Sequence, residues 1–219
     1  ANVIVGIVDT GVLPTHQDLT ANMWANPTET LNGADYDANG WIDDIHGIDS
    51  INNDGDPTDD NGHGTHVAGT IAAVGNNATG VVGVAWDAQI MGLKFLSAAG
   101  SGDTNDAVAC ITYAIQKQAR ILNNSWGGNS ALNTLRDAIE AADAAGIVFV
   151  VAAGNSSDDH KLVDVFPANY RLPNIVTVAA TDRNDELATF SNFSSASVHL
   201  AAPGVTIRST HNTSDSAYT

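Results

Sequence analysis

A single cysteine, Cys110, stands in the 219 residues, so no intrachain disulfide can form and cysteine usage does not reveal the redox compartment. Its setting in "DAVACITYAIQ" predicts a buried small hydrophobe. Basic side chains are almost as scarce. Eight Lys+Arg face 25 Asp+Glu, a net charge of −17. That balance excludes nucleic acid, which rewards clustered positive charge, and an anionic membrane surface as expected partners. No apolar run approaches the roughly 20 residues that a membrane span requires. The opening "ANVIVGIVDTG" has neither the basic start nor the cleavage site of a signal peptide, so it reads as a processed chain or a fragment. Repeats, low-complexity tracts and linkers are missing too, and one domain over 1–219 is expected. N-x-S/T matches such as Asn77-Ala78-Thr79 are too common by chance to establish glycosylation.

Hydrophobic residues make up 43% of the chain, enough to close a substantial core. Short, β-branched runs at 2–8, 89–96, 119–125, 146–153 and 174–180 have the character of strands buried on both faces. Helical patterns lie between several of them. Over 103–118, Ala107, Ile111, Ala114 and Ile115 share a face; over 131–145, Leu132, Leu135, Ile139 and Ala142 do. Ser130 is placed to cap the second helix and Gly146 to end it. Such alternation predicts an α/β fold with a mostly parallel sheet, whose sites lie at the carboxyl ends of its strands. The segment 20–61, rich in Asp, Asn and Gly, shows little periodicity and is expected to be a long loop, for which binding or disorder is the usual reason.

Candidate chemistry clusters at strand ends. Asp9 directly follows the first buried strand. His63 and His66 stand three apart where a glycine-flanked turn enters the helical run "THVAGTIAAV". A zinc pair is a poor reading, because the metalloprotease helix spaces its histidines four apart with a glutamate between. "NNSWGG" (123–128) ends another strand in small polar residues suited to extended backbone contacts, and "VVAAGN" (150–155) ends a fourth with the amide of Asn155. An acid, a base and an amide donor on buried parallel strands form a constellation for acyl transfer. A nucleotide-binding domain is disfavoured, since no glycine-rich phosphate loop follows the first strand. In the acidic stretch, "DYDANGWIDD" (35–44) spaces Asp35, Asp37 and Asn39 like the first half of an EF-hand loop. His46 occupies the twelfth position where a glutamate would close the shell, leaving that task to Asp43 or Asp44.

"VGIVDTGV", "NGHGTHVAGT", "NNSWGG", "VVAAGN" and "AAPG" (201–204) occur in the order and approximate spacing of the subtilisin-like serine proteases. The resemblance covers nearly the whole chain. It implies a three-layer fold with helices on both faces of the sheet and a secreted serine endopeptidase stabilised by calcium. By resemblance, Asp9 is the orienting acid of the triad, His63 the general base and Asn155 the side-chain donor to the oxyanion; the residues alone do not choose His63 over His66. Ser125, Trp126 and Gly127 resemble the strand that pairs with an extended polypeptide substrate and borders its P1 pocket. The family's order of acid, base and serine places the nucleophile in a "GTSMA"-type helix start a few residues past Thr219. Ser209, Ser214 and Ser216 lie in a polar tail and are not candidates. A segment before Val3 is implied as well. The given residues are thus expected to be inactive alone, and the remaining C-terminal segment is a candidate partner. The rival reading is an inactive, calcium-dependent binding module.

Two further calcium loops are implied by the resemblance. "DSINNDGDPT" (49–58) resembles the loop of thermitase-like members, with Asp49 and Asp54 as side-chain ligands and Asp56 and Thr58 nearby. "VGNNATGV" (74–81) resembles the family's strong site. There Asn77 offers its side-chain oxygen, Val74, Thr79 and Val81 their carbonyls, and Asp18 a carboxylate. The ions would be structural, since acyl transfer by a triad needs no metal.

Overall fold

The β-branched run after the N-terminus becomes β1 (Ile4–Asp9), near the middle of a seven-stranded parallel sheet. The computed structural model describes residues 3–219, so Asn2, at the start of the expected first strand, lies outside the described residues. The other strands are β2 (Gly47–Asp49), β3 (Gln89–Lys94), β4 (Ile121–Asn124), β5 (Val148–Ala152), β6 (Ile175–Thr181) and β7 (Leu200–Pro203). They run in the order β2-β3-β1-β4-β5-β6-β7. Four of the five sequence-predicted strands start at their expected bounds or one or two residues inside them, and the fifth, β1, begins at Ile4. Strand β2 has no counterpart in the sequence pattern. It is three residues long, too short for periodicity to announce it, and it forms because Gly47–Asp49 pair with Gly92–Lys94.

Side chains alternate across β1, and each set has its own helical cover. Val5 and Ile7 pack with Ala68 and Ala72 of α1 (His63–Ala72). Val8 joins Leu93, Cys110 and Ile111 in the larger core beneath α2 (Thr104–Gln116) and α3 (Asn133–Ala144). Helices therefore cover both faces, the three-layer arrangement that the family resemblance implied. Cys110 is fully buried as expected, and burial pushes its thiol up to about 12.

Asp103 caps α2 by accepting the Asn105 N–H at 2.8 Å. The cap of α3 differs from the expectation: the helix starts after Leu132 with no side-chain cap, and Ser130 lies two residues short of it. Gly146 ends that helix at φ +75°, as its type suggests. The polar tail folds as an antiparallel hairpin, β8 (Thr210–His211) and β9 (Ala217–Tyr218), against α1. Gly69 permits that approach, because a Cβ there would stand 2.2 Å from Thr210 Oγ1.

Candidate active site

Strand β1 delivers Asp9 to its carboxyl end, fully buried. Asp9 Oδ1 accepts the Thr10 N–H at 2.7 Å and meets His63 Nδ1 at 2.7 Å. His63 is the first residue of α1, and 49% of its side chain is exposed. Its Nε2 makes no hydrogen bond among the described residues. His66, one turn on, places Nε2 3.1 Å from the Ile207 carbonyl. The tertiary fold thus separates two histidines that the sequence left equivalent.

Asp59 holds this pair in register. Its Oδ1 accepts the Thr10 hydroxyl at 2.9 Å and the N–H groups of Asn61 and Gly62 at 2.9 Å each. Its Oδ2 accepts the N–H and hydroxyl of Thr65 at 2.9 and 2.6 Å. One buried carboxylate therefore ties the N-terminus of α1 to the residue after Asp9, where the helix dipole also favours negative charge. Burial would raise its pKa, but these donors outweigh that and hold it below the usual carboxylate range. Sequence reasoning missed Asp59; its only local signal is an acidic residue four positions before the histidine.

The Asp9 hydrogen bond raises the His63 pKa above its ordinary value of 6.5; burial opposes the rise, and the charges of Asp9 and Asp59 add to it. Asp59→Asn removes one of those charges, so the imidazole is expected to titrate at lower pH than in the unaltered chain. The chemical shift of the His63 ring proton followed against pH checks this. A midpoint that stays put or rises would contradict the assignment.

Asn123, Ser125 and Asn155, from the ends of β4 and β5, line one cavity of about 440 Å³. Its opposite wall includes His66, Val67, Thr70 and Ile71 of α1, and Val178 and Ile207 complete an apolar flank. Asn155 itself is exposed. On the other side of 125–127, Trp126 and Gly127 border a second cavity of about 360 Å³ with Phe95, Leu96, Leu135 and Phe166. Trp126 packs edge-on against Phe95 with ring centroids 4.8 Å apart. The backbone N–H and C=O groups of Trp126 and Gly127 have no partner among the described residues, so this edge can take another strand.

A model described as the Subtilase family matches residues 1–219. The chain belongs to the subtilase family. It is 37% identical to Subtilisin DY of Bacillus licheniformis over 96% of the chain and 68% of that protein. It is 38% identical to Thermitase of Thermoactinomyces vulgaris over 96% of the chain and 66% of that protein. Subtilisin-like protease 1 of Plasmodium vivax is 37% identical over 93% of the chain, which spans 35% of that larger protein. The crystal structure of a cold adapted subtilisin-like serine proteinase superposes with a TM-score of 0.77 at 33% identity, covering 99% of this chain and 67% of that one.

In this subtilase the acidic stretch gathers differently from its spacing. Asp35 does not join its neighbours: its two oxygens accept the N–H groups of Asn39 and Gly40 at 3.2 and 2.9 Å. Asn39 turns its oxygen to the Trp41 N–H and donates to Asp44 at 2.8 Å. Asp37 and Asp44 meet Glu29 instead, with one oxygen of each within 4.8 Å of the others. Glu29 is only 7% exposed, and among the described residues its Oε2 has no hydrogen-bond partner, nor does Asp37 Oδ1. Lys117 supplies the only ammonium contact among the described residues, bonded to Asp37 and 3.5 Å from Asp44. Tyr113 donates to Asp44 at 2.6 Å, and burial followed by that neighbour pushes its phenol pKa upward. Three carboxylates with two unpartnered buried oxygens suit a hard divalent cation. Glu29 lies outside the 35–44 window, which is why spacing does not find it.

The other two loops behave unequally. Asp18 is fully buried beside 74–81: its oxygens accept Asn77 Nδ2 at 2.5 Å, the Val81 N–H at 2.9 Å and the Tyr218 hydroxyl at 3.1 Å. The Asn77 oxygen accepts the Thr79 N–H at 3.0 Å. Val74 is tied in through its N–H to the Asp18 carbonyl at 2.9 Å. The expected donor residues are therefore together, and turning the Asn77 amide would aim its oxygen at Asp18's site. In 49–58 each carboxylate serves its own turn. Asp49 accepts from Ile51 and Asn52, Asp54 from Asp56, and Asp56 from Thr58. Those residues form no three-carboxylate cluster among the described residues.

Proposed function

We propose that the protein carrying this chain is a serine endopeptidase acting on extended polypeptides. The 2.7 Å contact of buried Asp9 Oδ1 with His63 Nδ1 carries the reading. A carboxylate there fixes Nδ1 as the protonated nitrogen and leaves Nε2 with a lone pair. In this reading a serine hydroxyl from beyond Thr219 gives its proton to Nε2 as its oxygen attacks the scissile carbonyl carbon. Asp9 stabilises the imidazolium that forms, and the charge of Asp59 assists. Asn155 donates to the oxyanion while the C–N bond breaks and the imidazolium passes its proton to the leaving amine. Water, activated by the same imidazole, then releases the acyl group. Ser209 is no rival nucleophile, for its hydroxyl donates to the His66 carbonyl at 2.7 Å.

Substrate would add as a strand along Ser125–Gly127, whose free backbone groups favour this mode. The serine-bearing segment would seat in the apolar cavity along Val67 and Ile71. Calcium is the proposed structural cofactor, held by Asp18 with the 74–81 loop and by Glu29, Asp37 and Asp44. When bound, it neutralises crowded carboxylates and pins loops that have little core of their own. Binding at 49–58 requires exchanging turn hydrogen bonds for metal ligation. A secreted location accords with calcium dependence, and among the described residues no helix is long and apolar enough to cross a membrane.

The test uses the protein with its residues beyond 219, a fluorophosphonate probe and a peptide substrate. One serine is expected to label and the peptide to be cleaved. Asn155→Ala is expected to lower kcat by about 10²–10³, the magnitude found in a subtilisin, with KM little changed. A folded protein that neither labels nor cleaves would refute the endopeptidase reading and leave the binding module as its rival.

A further inference from the structure

We propose that Asn192, backed by His160, is a positioning residue for Asn155. The inference rests on the endopeptidase reading and adds a part of the oxyanion machinery that lies outside the five motifs quoted above.

Asn192 is 1% exposed and His160 2%. The Asn192 N–H donates to the Gly154 carbonyl at 2.9 Å. Its side-chain oxygen accepts the N–H of Ser156 at 2.8 Å and that of Asp158 at 3.0 Å. Asn155 is thus bracketed: the residue before it and the residue after it are both bound to one buried asparagine. The Asn192 Nδ2 group donates to the Ala153 carbonyl at 3.1 Å, and His160 Nε2 meets the same oxygen at 2.8 Å. That carbonyl makes Nε2 the donor, which leaves Nδ1 to accept the Ser197 hydroxyl at 3.1 Å. Both ends of the amide and both nitrogens of the imidazole have partners, the condition under which a buried network holds a single geometry.

Gly154 shows how close the fit is. It stands at φ +113°, and a Cβ there would lie 2.5 Å from Asn192 Nδ2. Further contacts close the two segments along their length: Ser157 N–H to the Phe190 carbonyl at 2.9 Å and Phe193 N–H to the Asp158 carbonyl at 3.0 Å. Asn155, by contrast, has an exposed side chain with no hydrogen bond of its own among the described residues. Its aim therefore depends on the backbone that bears it. An oxyanion donor works only if it is already pointed where charge will develop, and displacement of about 1 Å can lower a rate by roughly 100-fold.

The experiment compares Asn192→Ala in two backgrounds of the full protease, Asn155 and Asn155→Ala, with competent enzyme counted by fluorophosphonate titration. With Asn155 present, kcat is expected to fall about 10- to 100-fold with KM nearly unchanged. With Asn155 absent, the same substitution is expected to change kcat by no more than about twofold. Affinity for a peptidyl aldehyde, whose adduct carries the oxyanion, should fall with kcat, while affinity for the product peptide should not. Equal losses in both backgrounds, or no loss of aldehyde affinity, would overturn the proposal. If Asn192→Ala does not fold, Ser197→Ala, which removes only the hydroxyl behind His160, takes its place in both backgrounds. A loss of kcat confined to the Asn155 background then supports the proposal, and equal losses or none overturn it. Absence of cleavage and labelling in the unaltered protein would instead refute the endopeptidase reading itself.

Discussion

Under the proposed endopeptidase mechanism, replacing His63 with alanine in the full-length protein is expected to lower kcat by about 2 × 10⁶-fold, and Asp9→Ala by about 3 × 10⁴-fold, the magnitudes known for subtilisin. The difference between them follows from the geometry. Removing His63 leaves no base for the serine proton. Removing Asp9 leaves the base but frees its tautomer and strips the hydrogen bond that is the first cause of its raised pKa. Among the described residues Asp9 Oδ2 has no hydrogen-bond partner, so Oδ1 carries the whole interaction with His63. The double variant should be no slower than His63→Ala, because acid and base act as one unit. Steady-state kinetics with titrated enzyme decides it. Additive losses, or His63→Ala retaining a tenth of the activity, would remove these residues from the mechanism.

Chelation of calcium should produce the largest stability effect. Among the described residues, the Glu29–Asp37–Asp44 cluster holds three carboxylates against one ammonium, and two of its oxygens are buried without partners. At calcium concentrations near 100 times Kd, each proposed site would contribute about 2.7 kcal/mol. For a chain of this size that corresponds to a loss of about 5–10 °C in Tm per site on chelation. Glu29→Gln sharpens the test by reversing sign. In calcium it should melt below the unaltered chain, having lost a ligand. In chelator it should melt at or above it, having lost a buried unpaired charge. Calorimetry in both buffers reads the two outcomes, and identical melting curves with and without chelator would exclude calcium from the fold.

Strands and helices are legible in the sequence because their signals are local. The apolar runs announce β1, β3, β4, β5 and β6 as strands, but the expected burial on both faces holds only for β1 and β3; β4, β5 and β6 alternate buried residues with half-buried or exposed ones. The apolar stripe of α2 fits its own 3.6-residue period. Where a boundary depends on a neighbour, reading fails: Ser130 looks like a cap, yet α3 starts after Leu132. Strand β2 and the β8–β9 hairpin are too short to carry a pattern, and exist through their partners.

By itself the sequence determined the α/β class, the strand ends as the place for chemistry, and the buried setting of Cys110. It also carried, in five ordered motifs, the family and the candidates Asp9, His63 and Asn155. Only the tertiary structure chose His63 over His66, by bringing one imidazole to a carboxylate 54 residues away and the other to a carbonyl. Only it replaced Asp35 with Glu29 in the acidic cluster and set Asn192 behind Asn155. The physical reason is the same in each case. Spacing tells which side chains can share a face, but a carboxylate or amide bonds whichever donor folding puts beside it, and those donors come from distant chain.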